Sequence, residues 1–296
     1  FFFLMFRRPP GSPLFPSTPL FRSWRETLAV HMLSGKPEQV VLLPGPTFMP
    51  LWTALATGLF FVSFLFKLYP VSALAFVLIV ACVWRWMWDS GLRQDAEPVA
   101  IGRGQTAPLH ATTADPPTLW GMVFTLMANG VLFGALVFGY LFLWVVAPNW
   151  PPPDLLIREP VTPLLLIAAV ACGLWAIRRA ERANARGAAG TSQSALLVSG
   201  LSGLLVTAAA LAVPLFTAPS PTAHAYGAAV TFISGYMAFH GLIAALLSAY
   251  ALARARRGWV SAQRRVEFAT LRLWWLYLAA VVGISLALLH GPVWLS

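Results

Sequence analysis

Seven long apolar runs alternate with shorter polar segments, at about 48–66, 70–88, 118–146, 161–177, 195–217, 226–252 and 273–291. Each run is near or above the roughly 20 residues a helix needs to cross a bilayer. The third and sixth exceed that length, and tilt or protrusion absorbs the excess. Only Lys67, Leu68 and Tyr69 separate the first two runs before Pro70, which predicts a tight helical hairpin. The first 47 residues are proline-rich, with little periodicity before Trp24. In SWRETLAVHML, Trp24, Leu28 and Met32 fall at i, i+4 and i+8. That spacing predicts either a short helix on the membrane surface or a partly ordered linker.

The expected organisation is therefore a cytoplasmic linker over 1–47, a transmembrane helix pair over 48–90 and a cytoplasmic linker over 91–117. A five-helix transmembrane bundle over 118–296 follows. The fold class is all-α: a polytopic membrane protein with seven transmembrane helices, arranged as a two-helix hairpin plus a five-helix bundle.

Composition sharpens this picture. Of 296 residues, 58% are hydrophobic and 10% charged, with a mean hydropathy of +0.73. A soluble domain has about 25% charged residues, so a water-soluble enzyme, a disordered chain and a disulfide scaffold are all excluded. The net charge of +10 reads as topological and does not imply nucleic acid. If each run crosses once, only Lys67 and Arg158 lie on one side, and the other 18 of 20 lysines and arginines lie on the opposite one. The positive-inside rule then places the N-terminus in the cytoplasm and the C-terminus outside. At the start, FFFLMF precedes Arg7 and Arg8, the reverse of a signal peptide. This order is expected either of a fragment of a longer polypeptide, cut within a membrane helix, or of a frayed terminus.

Chemistry inside the spans is sparse. All ten acidic residues fall in loops or at span ends, whereas pumps carry ionisable groups within the bilayer. Only His240 lies well inside a span, with His31 and His110 in cytoplasmic segments and His224 and His290 near the outer face. Haem and copper need several converging histidines, which this chain does not supply. It carries no hydrolase, zinc-protease, P-loop or dinucleotide motif. No catalytic, cofactor-binding or metal residues are therefore assigned. His240 pairs with Asn129 or bonds a carbonyl or hydroxyl on the next helix. Asn129 is expected to form an interhelical hydrogen bond. Gly130 and Gly134, repeated by Ala135 and Gly139, and Ser234 with Ala238 and Gly241 with Ala245, make small-residue rows for helix packing, internal or against another subunit. Trp120 and Trp150, at the two ends of the third span, and Trp274 and Trp275, at the start of the last, read as interfacial anchors. Arg85 and the other cytoplasmic arginines serve topology or contact lipid phosphates. Cys82 and Cys172 read as inert packing residues.

LWGMVFTLMANGVLFGALVFGYLFLWVVAPNWPPPDL, from Leu119, resembles the third helix of subunit III of haem-copper cytochrome c oxidases, through Trp120, Gly121, Met122, Tyr140, Trp150, Pro151 and Pro152. FISGYMAFHGLIAALLSAY is similar to that family's penultimate helix, with its F-H-G at Phe239, His240 and Gly241. RRVEFATLRLWWLY resembles the approach to its final helix. ETLAVHMLSGKPEQVVLLPGPTFMPLW resembles the linker found where subunits I and III are fused.

The resemblance implies a non-redox accessory subunit of a respiratory terminal oxidase, which reduces oxygen to water and pumps protons. It would sit in the cell membrane, that of a bacterium, on catalytic subunit I (fused or separate) and beside subunit II. Haem and copper would reside in the partner. Phospholipid would be held in the cleft between helix pair and bundle, where Trp120 and Trp150 would meet head groups. Two positions depart from the family: Asn129 replaces a glutamate, and Ile243 a second histidine. A proton-buffering role for that glutamate does not carry over. The competing classes are a transporter, which predicts broken helices or midplane polar groups, a membrane enzyme with a clustered His/acid site, and a membrane scaffold unrelated to respiration.

Overall fold

The computed structural model describes residues 25–31, 34–43, 46–90, 98–102, 104–108, 117–262 and 265–295. It divides into two compact units, Phe1–Thr112 and Thr113–Ser296. Among the described residues six helices are long and apolar enough to cross a membrane, so the chain is a mostly helical, multi-pass membrane protein. The expected first span is the exception. It forms a 17-residue helix, α1 (Met49–Leu65), about 26 Å long against a hydrocarbon core of roughly 30 Å. Pro50 sits in its first turn. At its other end Lys67 takes a positive φ of 58°, and the Leu68 N–H reaches back to the Ser63 carbonyl at 2.8 Å. The turn leads straight into α2 (Tyr69–Ser90). Ser63 and Ser72 face each other across this hairpin, 2.9 Å apart and buried. Ala56 and Ala75 are buried too, so small residues bring the helices together.

Strands occupy both polar segments of this unit. β1 (Arg25–Val30) pairs antiparallel with β2 (Pro37–Leu43), and β3 (Val99–Gly102) with β4 (Gln105–Ala107). This corrects the surface helix expected around Leu28; Trp24 and Met32 lie outside the described residues. The reason is a tight turn that makes a partner strand available. Gly35 adopts φ +64° and donates its N–H to His31, which brings β-branched Val40 and Val41 beside Leu28 and Thr27. Gly102 and Gly104, at φ +101° and +72°, turn the second hairpin the same way. The Val40 N–H donates to the Pro108 carbonyl at 2.9 Å. Leu28, Val40, Val99, Ile101 and Ala107 form a small apolar cluster between the hairpins.

The second unit holds α3 (Pro117–Val146), α4 (Val161–Ala185), α5 (Ala189–Ala212), α6 (Ala225–Arg256) and α7 (Val266–Leu295). α5 packs along both α4 and α6, α7 lies against α4 and α6, and α3 rests on α6 and α7. A π turn over Val213–Thr217, with Pro214 in it, closes α5. Trp275 is the largest fully buried side chain. Its ring fills the space that a side chain at Gly173 would need: a Cβ there would lie 2.2 Å from the ring.

Polar side chains cap the starts of two helices in this unit. The His224 Nδ1 accepts the Tyr226 N–H at 2.9 Å and starts α6. Glu159 accepts the N–H groups of Val161 and Thr162 and starts α4. Partial burial pushes the Glu159 carboxyl up. The hydrogen bonds from Thr162 and Val161, with the nearby His290, outweigh this and hold it below its ordinary 4.5. A depressed carboxylate stabilises the fold above its unfolded value and loses that contribution as pH falls through the folded one. Glu159→Gln should therefore lower the melting temperature at pH 6. The gap from wild type should close on acidification below about pH 4.5. A gap unchanged across that range would remove the charge from the cap.

Candidate functional site

A polar and aromatic cluster inside the second unit lies where α3, α6 and α7 meet. Tyr236 and His240 are one turn apart on α6, and their rings meet in a tilted contact with centroids 4.1 Å apart. α7 brings Trp274, stacked on His240 at 5.3 Å, and Tyr277 at 5.5 Å. α3 adds Phe133, stacked on Tyr236 at 5.2 Å. These positions follow from the i, i+3, i+4 spacing of helical faces.

Hydrogen bonds lock the three helices. The Tyr236 hydroxyl donates to the Asn129 carbonyl at 2.7 Å. Its single proton is then used, so the Tyr277 hydroxyl, 2.6 Å away, is the donor to it. The Trp274 Nε1–H donates to the His240 carbonyl at 3.0 Å. His240 Nδ1 lies 2.9 Å from the Tyr236 carbonyl. A carbonyl only accepts, so Nδ1 carries a proton. Nε2 is buried with no hydrogen-bond partner among the described residues. A charged imidazole would bury the Nε2–H without a partner, so the neutral form fits this site, with the Tyr236 and Trp274 rings against it.

Tyr236→Phe should cost about 1–2 kcal/mol, because it strips the Asn129 carbonyl and the Tyr277 hydroxyl of partners in a low-dielectric interior. Tyr277→Phe should cost about 0.6 kcal/mol, since the bond from α6 to α3 survives. Equilibrium unfolding in mixed micelles measures both, and equal losses would contradict the proton order.

A second network lies deeper in the bundle. The Trp275 Nε1–H donates to Ser199 Oγ at 2.9 Å, Ser199 lies 2.9 Å from Ser248, and Ser248 donates to the Ala244 carbonyl at 2.7 Å. One proton order satisfies the whole chain across α7, α5 and α6.

The structure redistributes the residues singled out by sequence. Asn129 and His240 share the cluster but do not pair, because Tyr236 stands between them. The Asn129 amide donates to the Thr125 carbonyl of its own helix at 2.8 Å, so the interhelical bond uses its backbone instead. Trp150 and Trp274 are buried, which corrects their reading as anchors in contact with lipid. Trp150 packs edge-on against Tyr140 at 5.6 Å and Tyr226 at 5.7 Å. Trp275 is equally inside. Trp120 is exposed. Arg85 is exposed and bonds Asp89 one turn away at 2.7 Å.

Of the small residues on α3, Gly130 meets Tyr277, but a side chain at Gly134 or Gly139 would meet no atom within 4 Å. Gly134, Ala135 and Gly139 lie on the exposed face of α3, which corrects Gly134 as a packing residue of this unit. The close approach is between Gly241 on α6 and Gly203 on α5. Cys172 is exposed rather than packed. Sequence reasoning passed over Tyr236, Tyr277, Ser199 and Gly203. The Tyr-x-x-x-His and Ser-x-x-x-Gly spacings could have marked them.

Among the described residues no three His, Cys, Asp or Glu side chains converge as metal ligands. No family model matches the chain, and no curated protein matches its sequence.

Proposed function

We propose that this chain is a subunit III-like, non-redox accessory subunit of a respiratory terminal oxidase. In this reading it packs on the catalytic subunit, which holds the haem and copper, and retains structural phospholipid. The N-terminus is cytoplasmic, and all seven apolar helices cross the membrane. The observation that carries the reading is where the motif residues sit. Tyr140 and Trp150, from the Gly-rich helix and W-P-P turn, share one buried aromatic cluster. His240, from F-H-G, is clasped by Trp274 and Tyr277 of the segment that resembles the family's last helix. Two apolar helices lie in one unit and five in the other, which agrees with the two-plus-five arrangement of that subunit.

The chain's own residues supply rigidity here, not chemistry. Asn129 holds an amide where the family has a carboxyl group, and an amide cannot store a proton. In this reading the chain supports turnover through shape and lipid.

The test is purification of the C-terminally tagged chain from its native membrane in mild detergent. Haem bands in a reduced-minus-oxidised spectrum, rising with the tagged chain, and catalytic and copper-binding subunits in the mass spectrum are expected. A clean preparation without haem and without an oxidase partner would overturn the reading.

A further inference from the structure

The C-terminal half of α4 carries Arg178, Arg179 and Arg182, and its C-cap is Arg186. They line a groove of about 600 Å3 beside the α4–α5 turn, together with Trp175 and Thr191. All four are exposed, and none forms an ion pair among the described residues. The acid on the same stretch, Glu181, is committed elsewhere: it accepts from Arg272 of α7 at 3.1 Å. Like charges one helical turn apart destabilise a helix, and among the described residues no acid pairs with this group. Helix C-terminal partial charge favours cations only in the last turn. That covers Arg182 and Arg186 but not Arg178 and Arg179.

The groove has further features of a built anion site. The Arg179 guanidinium sits 5.3 Å over the Trp175 ring, which orders it, and Trp175 is 55% exposed. α5 starts across the groove with no side-chain cap and no acid in its first turn. Its N-terminal partial charge therefore adds to the same positive field. Towards the membrane interior, Leu174, Ala171 and Ile167 continue the Arg178 stripe at helical spacing. Ile167 is largely exposed. Cationic groups thus stand at one end of the stripe and an apolar track runs from it.

We propose that this groove binds the phosphate of an anionic phospholipid, with the arginines taking the oxyanion and the apolar stripe taking an acyl chain. Arginine suits a phosphate because its planar fork offers two parallel donors. Free phosphate shares the headgroup chemistry, but it has no use for the apolar track. The inference needs only membrane-spanning α4 and α5 and stands apart from the oxidase reading.

The test uses the full chain, purified with whatever subunits accompany it and exchanged into detergent. Phosphatidylglycerol, phosphatidylcholine or inorganic phosphate is titrated in, and bound lipid is counted by native mass spectrometry. Phosphatidylglycerol should bind preferentially, and millimolar phosphate should displace it poorly. Arg178→Gln with Arg182→Gln should weaken it about tenfold or more, as expected for lost charge-assisted bonds. Arg256→Gln, which removes a cation of the α6 end, should leave it unchanged.

Equal binding of both lipids would overturn the proposal, as would equal loss with Arg256→Gln. Phosphate alone competing fully would reassign the groove to a soluble anion and overturn the lipid assignment. If the double variant does not fold, single Arg182→Gln and the wild-type competition decide the matter.

Discussion

Valine in place of Gly203 is expected to destabilise the bundle by about 3 kcal/mol or more, the sum of overpacking and lost interhelical bonds. The argument is geometric. A Cβ at Gly203 would lie 2.7 Å from the Ala245 nitrogen and 2.8 Å from the Gly241 carbonyl oxygen. These are backbone atoms, with no rotamer to turn away, so α5 and α6 must separate. Separation also breaks the Ser199–Ser248 contact at 2.9 Å and the bond from Thr207 to the Ala238 carbonyl at 3.2 Å. Ser199, which accepts from Trp275, then has no acceptor for its own proton. Gly241 is the reciprocal half, since a Cβ there would meet Thr207 and the Gly203 carbonyl at 2.9–3.0 Å. Gly203→Ala should follow the same direction with a smaller loss. Gly134→Ala is the control: nothing lies within 4 Å of it, so its stability should stay within about 0.5 kcal/mol of wild type. Unfolding titrations in mixed micelles read all three variants, and a Gly134→Ala loss matching that of Gly203→Ala would refute the seam.

Arg254→Ala is expected to cost about 3 kcal/mol, by breaking a buried ion pair and leaving its partner charge behind. The Arg254 side chain is 4% exposed and bonds Glu267 of α7 at 3.3 Å. Its guanidinium also lies 5.7 Å over the rings of Tyr250 and Trp259, where a cation is attracted to the ring face. Hydropathy makes this arginine a topological charge at the end of a span. The tertiary structure makes it one of the ties between α6 and α7. Replacing both partners, as Arg254→Met with Glu267→Leu, should recover most of the loss, because no lone buried charge remains. The comparison is Arg85→Ala. That side chain is 67% exposed and bonds Asp89 at 2.7 Å, yet an exposed pair on one helix contributes less than about 1 kcal/mol. Melting temperatures of the three variants test the contrast. If the double variant fared worse than Arg254→Ala, the pair would not be the cause.

Much of the architecture was legible in the chain. The apolar runs expected at 118–146 and 226–252 appear as Pro117–Val146 and Ala225–Arg256. The turn expected at Lys67–Tyr69 is there, with Lys67 at positive φ. Transfer into lipid is a property each residue brings by itself, summed over a window, so a one-dimensional reading finds it. The length of α1 was less legible, because its end depends on the turn after it. The strands of the first unit were missed because each short run becomes a strand only when its partner is folded beside it.

Within the bundle, hydropathy says nearly nothing about neighbours. Helices that are apolar on every side bear no amphipathic face to mark which side is buried. Trp120 and Trp150 look alike in sequence, but one is exposed and the other is enclosed by Tyr140 and Tyr226. Gly134 and Gly241 both sit in small-residue rows, and only Gly241 lies under a facing backbone. The sequence by itself determined that the chain belongs in a membrane, where most of its helices run and where its charges gather. Only the tertiary structure decided that Tyr236, Tyr277 and Trp274 close around His240, that Ser199 joins Trp275 to Ser248, and that four arginines share one groove. Those outcomes rest on shape and on donors meeting acceptors across helices, and lipid solubility of a single segment carries no information about either.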